Sequence, residues 1–186
     1  LDGLLGFDLH GCTVGVTGSG KIGAIFAQIM HGFACHLLDY DAYPNEHFSA
    51  IGDARYVDLP ELLSTSDIIS LHCPLLEDTY HLINKESVEQ MKTGVMLINT
   101  SRGQLVDTRA VIDGIKSHKI GYFGLDVYEQ EDEIFFEDHS ESIIQDDTFQ
   151  LLQSFPNVII TAHQAFFTKN ALEAIAQTTL ANISEF

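Results

Sequence analysis

Three residues have the types and the placement to work on a small carbonyl acid: Arg102, Glu131 and His163. An arginine presents a planar fork that meets a carboxylate through two parallel hydrogen bonds. A histidine exchanges a proton near neutral pH, as a carbonyl becoming a hydroxyl requires. A glutamate beside that ring orients it and offsets its charge. Each has a plainer explanation when taken alone. Arg102 could pair on the surface, Glu131 could be one more acid in a charged loop, and His163 is one of nine histidines. Together they make a complete set for a 2-oxo or 2-hydroxy acid, with the hydride left to a nicotinamide.

A second group supplies a place for that nicotinamide. Gly18-Ser19-Gly20-Lys21-Ile22-Gly23 is a GxGxxG that follows the apolar run Val14-Gly15-Val16 and opens a helical pattern. In that setting Gly18 permits the tight turn, Gly20 lets a pyrophosphate approach the backbone, and Gly23 lets helix and strand pack closely. The helix N-terminus then turns free N–H groups toward the phosphates. An acid near the end of the second strand should accept from the adenosine ribose, and two compete. Asp39 lies 16 residues after Gly23 and Asp41 lies 18 after it. The longer spacing suits a strand running out through Leu37, Leu38 and Tyr40, so Asp41 is the expected ribose acid. A carboxylate there repels a 2′-phosphate, and residues 42–54 hold no Lys or Arg to neutralise one. NAD is expected over NADP.

These groups need a scaffold that brings them to one edge. Apolar runs rich in β-branched residues alternate with helical patterns, the mark of βαβ units around a parallel sheet. Strands are expected at Thr13–Val16, Cys35–Leu38, Ile68–Leu71, Val95–Asn99, Tyr122–Asp126 and Val158–Thr161. Helices are expected at Lys21–His31, Leu59–Ser64, Lys85–Met91, Asp107–Ser117 and Asn170–Phe186. The fold class is α/β: a Rossmann-type doubly wound parallel sheet with helices on both faces. Arg102, Glu131 and His163 each come just past a strand, and such a sheet binds its ligand along that edge. Residues 1–186 read as one domain, without repeat or linker. The stretch Glu129–Gln153 breaks the rhythm with nine acids between Glu129 and Asp147 and reads as a solvated loop with a short helix.

Bulk properties narrow the partners. The 9 Lys and Arg against 27 Asp and Glu give a net charge of −18, which provides no basic footprint for nucleic acid or an anionic membrane. No apolar run is long enough for a bilayer span. Cys12, Cys35 and Cys73 stand singly, suggesting neither disulfides nor a zinc site and fitting a reducing cytoplasm. No metal is expected. There is no initiator Met or signal peptide, and the chain reads as excised from something longer.

The residues resemble the D-2-hydroxyacid dehydrogenase family across essentially the whole chain. The resemblance rests on Thr13 through Gly23, on Leu71-His72-Cys73-Pro74-Leu75, and on Ile98-Asn99-Thr100-Ser101-Arg102-Gly103. Its most specific carriers are Gly124-Leu125-Asp126-Val127-Tyr128-Glu129-Gln130-Glu131 and Thr161-Ala162-His163-Gln164-Ala165-Phe166-Phe167-Thr168. It implies that Arg102, Glu131 and His163 are the catalytic Arg, Glu and His. It further implies NAD contacts from Lys21, Ile22, Asp41, Cys73, Pro74, Thr79, Thr100 and Ser101, with Asp126 near the nicotinamide carboxamide. Phe135-Phe136-Glu137-Asp138 and Ile144-Gln145-Asp146-Asp147 look like the D-lactate dehydrogenase subgroup, which implies pyruvate and D-lactate as the acid pair. Cys12 and Thr17 depart from the family's commoner lysine and aliphatic residue. The resemblance also implies a homodimer built on this domain, and a second, substrate-binding domain that these residues do not contain. A coenzyme-sensing binding module, like the family's corepressor branch, is the alternative to an enzyme.

Overall fold

The computed structural model describes residues 6–131, 134–135 and 145–184. Among these residues seven strands form one parallel sheet: β1 (Thr13–Thr17), β2 (His36–Tyr40), β3 (Arg55–Tyr56), β4 (Ile68–Leu71), β5 (Val95–Asn99), β6 (Ile120–Leu125) and β7 (Val158–Ile160). Their order is β3-β2-β1-β4-β5-β6-β7. The chain therefore starts in the middle, winds out to one side, returns, and winds out to the other. The seam between β1 and β4 is the switch point at which such sheets bind ligands. Beside the six expected strands lies β3, two residues long and too short to show an alternation.

The helices are α1 (Lys21–Gly32), α2 (Glu46–Ser49), α3 (Leu59–Thr65), α4 (Lys85–Gln90), α5 (Thr108–Lys116), α6 (Asp147–Ser154) and α7 (Lys169–Ser184). They form where caps and periodicity agree. Asp58 accepts from the Glu61 amide to start α3, Asn84 and Ser87 cap each other across the first turn of α4, and Asp107 accepts from the amides of Arg109 and Ala110 to start α5.

Strand alternation sorts the sheet into two cores. Ile69, Leu71, Val95 and Leu97 face Leu62, Leu63, Val88, Val111 and Ile115 of α3, α4 and α5. Val14, Val16, Leu37 and Ile68 face Ala27, Met30, Phe48 and Ile51 around α1 and α2. Gly15 sits opposite α3, where an added Cβ would lie 2.7 Å from Leu62. Helices thus lie on both faces. The second face is covered unevenly, however. Met96, Ile98, Tyr122 and Ile159 line an open groove of about 530 Å³, and Ile159 is 69% exposed. Helix α7 buries none of its residues.

Element ends shift by one or two residues in several places, and two departures from expectation bear on the site. Strand β2 runs on to Tyr40 because the ladder to β1 continues through Val16 with Asp39 and Thr17 with Tyr40. Asp39 is therefore inside the strand and Asp41 just beyond it. In the acidic insertion the short helix is α6, and it is docked into the core through Phe149 and Leu152. The Tyr128 hydroxyl donates to Asp146 Oδ2 at 2.7 Å, and Asp146 caps α6 by accepting from the Phe149 amide. Phe136, Glu137, Asp138 and Ile144 lie outside the described residues. Among the described residues no helix is long and apolar enough to cross a membrane.

Candidate functional site

The glycine loop joins β1 to α1 with the geometry its spacing requires. Gly18 has φ +94°, and a Cβ there would lie 2.6 Å from the Cys73 amide nitrogen. A Cβ on Gly23 would lie 1.9 Å from the Gly18 carbonyl oxygen, so only glycine lets α1 sit this close to the loop. Gly20 has open space around its Cβ position. Its helix is also built differently from α2 to α6, each of which has a side chain accepting from a first-turn amide. Helix α1 has no such cap and no acid in its first turn. Its orphan N–H groups and positive dipole end remain for an outside anion, a cradle that fits a pyrophosphate. Lys21 and Ile22, the first two residues of α1, are exposed at that end.

Asp41 closes the other side of the loop. Its Oδ2 accepts from the Ser19 amide at 2.8 Å and the Ser19 hydroxyl at 3.3 Å, and its Oδ1 accepts from the Tyr43 amide at 2.9 Å. Ser19 Oγ lies 2.6 Å from Tyr56 Oη, and the Asn45 amide group donates to the Ser19 carbonyl at 2.7 Å. Asp39, two residues earlier, is fully buried, and neither of its oxygens has a partner at good hydrogen-bond geometry. Burial pushes its carboxyl up to about 6; weak hydrogen bonding from Ser19, Tyr56 and the Gly18 backbone, short of good geometry, eases the rise in part, and the Asp41 charge adds to it.

At the seam, Cys73 follows β4 and the turn Thr100–Arg102 follows β5. The Cys73 thiol is buried, which raises its pKa above the usual thiol value, and the Thr17 hydroxyl donates to its sulfur. The Ser101 hydroxyl donates to the Cys73 carbonyl at 2.8 Å and knits the two strand exits together. Pro74 is exposed, and Thr100 stands exposed on the same edge. The Thr79 hydroxyl is engaged within its own turn, donating to the Pro74 carbonyl and accepting from the Leu76 amide.

The three polar groups gather past β5, β6 and β7, which are neighbours in the sheet and point the same way. His163 Nδ1 and Glu131 Oε1 form a pair at 3.0 Å, with the glutamate side chain 16% exposed. Glu131 Oε2 also accepts from the Tyr128 amide at 3.0 Å, so the carboxylate is fixed from both sides. Arg102 is exposed, and its guanidinium donates to the Ser101 carbonyl at 2.7 Å. Asn99 shapes that turn by donating to the Arg102 carbonyl and accepting from the Ser101 amide. Gly103 brings the Arg102 turn against the Glu131 turn: a Cβ there would lie 2.1 Å from the Tyr128 backbone.

Asp126 anchors the histidine. It is 3% exposed, and its carboxylate accepts from the Thr161 hydroxyl, the Gln164 amide at 2.8 Å and the Ala165 amide at 3.0 Å. Its backbone carbonyl accepts from the His163 amide. Burial alone would raise its pKa, but these hydrogen bonds and the nearby His163 hold it below the usual carboxylate value. They also secure a costly backbone. Ala162 and His163 have φ of +51° and +54°, left-handed conformations that cost side-chain-bearing residues about 1–2 kcal/mol each.

Several contributors carry no local signal in the sequence. Glu129 receives the Thr108 amide at 2.9 Å and hydroxyl at 2.6 Å, and pairs with His81 at 2.7 Å, tying the Glu131 turn to the start of α5. Its partners are 21 and 48 residues away. Ser19, Asn45 and Tyr56 around Asp41 are likewise brought together only by the fold.

A family model for the NAD-binding domain of D-isomer-specific 2-hydroxyacid dehydrogenases matches residues 2–165. The chain is 53% identical to D-lactate dehydrogenase of Escherichia coli, over 99% of this chain and 56% of that protein. It is 52% identical to 2-hydroxyacid dehydrogenase A of Aspergillus oryzae, over 100% of this chain and 53% of that protein. Among solved structures, the pyruvate reductase of Chlamydomonas reinhardtii superposes with a TM-score of 0.95 at 47% identity, over 100% of this chain and 56% of that one. D-lactate dehydrogenase of Aquifex aeolicus, solved with NAD and lactic acid, superposes with a TM-score of 0.89 at 37% identity, over 97% and 55%. The chain spans about half the length of the curated relatives it matches. From the glycine cradle, the paired glutamate and histidine and this likeness along its whole length, the chain belongs to the D-2-hydroxyacid dehydrogenases, of which it forms the NAD-binding domain.

Proposed function

We propose that the protein interconverts pyruvate and D-lactate with NAD(H) and that Arg102, Glu131 and His163 are its catalytic groups. The carrying observation is the 3.0 Å Glu131–His163 pair, which stands on the same sheet edge as the uncapped end of α1. NAD(H), when bound, supplies the hydride. The α1 amides with Gly18, Gly20, Lys21, Ile22 and Gly23 hold its pyrophosphate. Asp41 takes the adenosine ribose, Cys73, Pro74 and Thr79 border the adenine side, and Thr100, Ser101 and Asp126 lie toward the nicotinamide. Arg102 swings its fork onto the substrate carboxylate. His163 Nδ1 is taken by Glu131, so its Nε2 faces the substrate oxygen and gives or takes the proton there. The other wall of the cleft comes from outside these 186 residues. The relatives above are named as dehydrogenases or a reductase, and the corepressor reading draws no support from them.

His163→Ala is expected to lower pyruvate reduction by roughly 10²–10⁴-fold while NADH binding, read by fluorescence titration, stays close to that of the parent. Undiminished turnover would remove His163 from the proton step. A panel of pyruvate, hydroxypyruvate, glyoxylate and bulkier 2-oxo acids tests the substrate, with pyruvate expected first. We further propose a homodimer in the cytoplasm. Supporting it, the outer side of α1 leaves Ile25, Ile29 and Phe33 half or more exposed at helical spacing, and the three cysteines are free thiols. Ile29→Glu is expected to shift the sedimentation coefficient to that of a monomer; an unmoved dimer peak would place the interface elsewhere.

A further inference from the structure

Asp39 is a buried acid that the proposed reaction does not use. It lies inside β2 beneath the glycine loop, with no exposed surface and no partner at good hydrogen-bond geometry for either oxygen. An unpartnered carboxylate in such a place demands a reason, because desolvating its charge is costly. The neighbouring hydroxyls of Ser19 and Tyr56 ease its charge only in part. Ser19 Oγ donates to Asp41 Oδ2, and Tyr56 Oη lies within reach of Ser19 Oγ and of the Asn45 carbonyl, so both protons have other acceptors. The ionisable groups that face Asp39 are Asp41 beyond its own strand, Tyr56 on β3 and Cys73 beyond β4, and none of these is a cation. Its strand neighbour on β1, Val16, is apolar.

We propose that Asp39 is a specificity-determining residue for the coenzyme: a second carboxylate beneath the adenosine-ribose position that, when ionised, weakens the hold on an anionic dinucleotide and strengthens the rejection of a 2′-phosphate. This rests on the reading that Asp41 takes the ribose. The dinucleotide brings negative phosphates to the loop above Asp39 and displaces the bulk water that screens its charge across that loop. Both effects favour the protonated acid in the complex, so binding takes up a proton. With Asp39 rising toward about 6 even without ligand, the linkage falls between mildly acidic and neutral pH. The sign follows. Affinity for NADH is highest where Asp39 is neutral and declines as pH rises through its titration. Asp41 provides the attraction to the ribose hydroxyls, and Asp39 sets how much of it survives.

The test is NADH binding by fluorescence titration at pH about 5.5 and about 7.5 for the parent, Asp39→Asn, Asp39→Ala and Asp41→Asn. The parent is expected to bind about five-fold or more weakly at the higher pH, and both Asp39 variants to change less than about two-fold. At the higher pH, Asp39→Asn should also narrow the preference for NADH over NADPH by about the same factor. A parent without pH dependence, variants that keep the parent's slope, or an unchanged coenzyme preference overturn the proposal. Asp41→Asn is expected to bind weakly at both pH values. Parental affinity in that variant would instead refute the ribose reading, and so the two failures are distinct. Should the Asp39 variants not fold, calorimetry of the parent with NADH at pH about 6.5 in buffers of different ionisation enthalpy decides the matter. Net proton uptake is expected, and its absence overturns the inference.

Discussion

Asp39 and Asp126 are both aspartates, both at the C-terminal ends of parallel strands, and both removed from solvent. Neither Asp39 oxygen has a partner at good hydrogen-bond geometry, Ser19, Tyr56 and Gly18 ease its charge only in part, and its carboxyl rises to about 6, whereas Asp126 accepts three well-formed bonds and stays below its usual value. Both are shut off from solvent, but Asp39 lies deeper among protein atoms, and the supply of donors differs as well. At β6 the chain turns back over the aspartate, and the 161–165 loop lays its amides onto the carboxylate. At β2 the chain leaves through Asp41, and the nearby donors of the glycine loop go there instead. A carboxylate inside this sheet is thus an anchor where a loop folds onto it, and a stored charge where the loop serves a neighbour.

Removing the anchor should have the largest effect. Asp126→Ala leaves the Thr161 hydroxyl and the Gln164 and Ala165 amides without their acceptor, at about 1–3 kcal/mol for each donor that water cannot reach. The expected result is a melting temperature lowered by several degrees and turnover reduced by roughly 10²-fold or more, as His163 loses its position. NADH affinity should fall too, because Asp126 lies toward the nicotinamide, but by much less than turnover. An affinity loss as large as the turnover loss would show that Asp126 serves the coenzyme more than the loop.

Stability against pH sharpens the same contrast, because the two residues carry opposite signs. Asp39 has a folded value above its ordinary 3.8, so its contribution is fully present below about pH 4 and is lost as pH rises through about 6. That is up to about 3 kcal/mol for a shift of this size. Asp126 has a lowered folded value, so its contribution is present above its ordinary range and is lost as pH falls through the folded value. In denaturant melts, Asp39→Asn should therefore gain on the parent as the pH approaches neutrality, while Asp126→Asn should trail the parent most near neutrality and recover in acid. Parallel difference curves would show that the hydrogen bonds do not separate the two sites. The smallest effect belongs to Tyr128→Phe. It removes one hydroxyl bond to Asp146 and should cost about 1 kcal/mol without altering either pH profile.

The parts of the fold written in local spacing were legible in the sequence. Gly18, Gly20 and Gly23 state the loop because the turn, the approach and the helix packing are each decided within six residues. Arg102, Glu131 and His163 could be placed on one edge because each follows a strand and the strands are parallel. What remained hidden depends on partners distant in the chain. Spacing favoured Asp41 over Asp39, two positions earlier, but the enclosure of Asp39 depends on the ladder to β1. Glu129 was one acid among nine, and its bonds to Thr108 and His81 exist only once α5 is in place. The charge of the insertion masked Phe149 and Leu152, whose spacing carries α6 into the core. The apolar outward residues Met96, Ile98 and Ile159 gave no sign that their face would lie open.

The bonds from Gln164 and Ala165 to Asp126 come from backbone amides, not side chains. Any residue but proline can supply an amide. Positions 164 and 165 can therefore change side chain while the Asp126 anchor, and with it the loop that carries His163, stays in place.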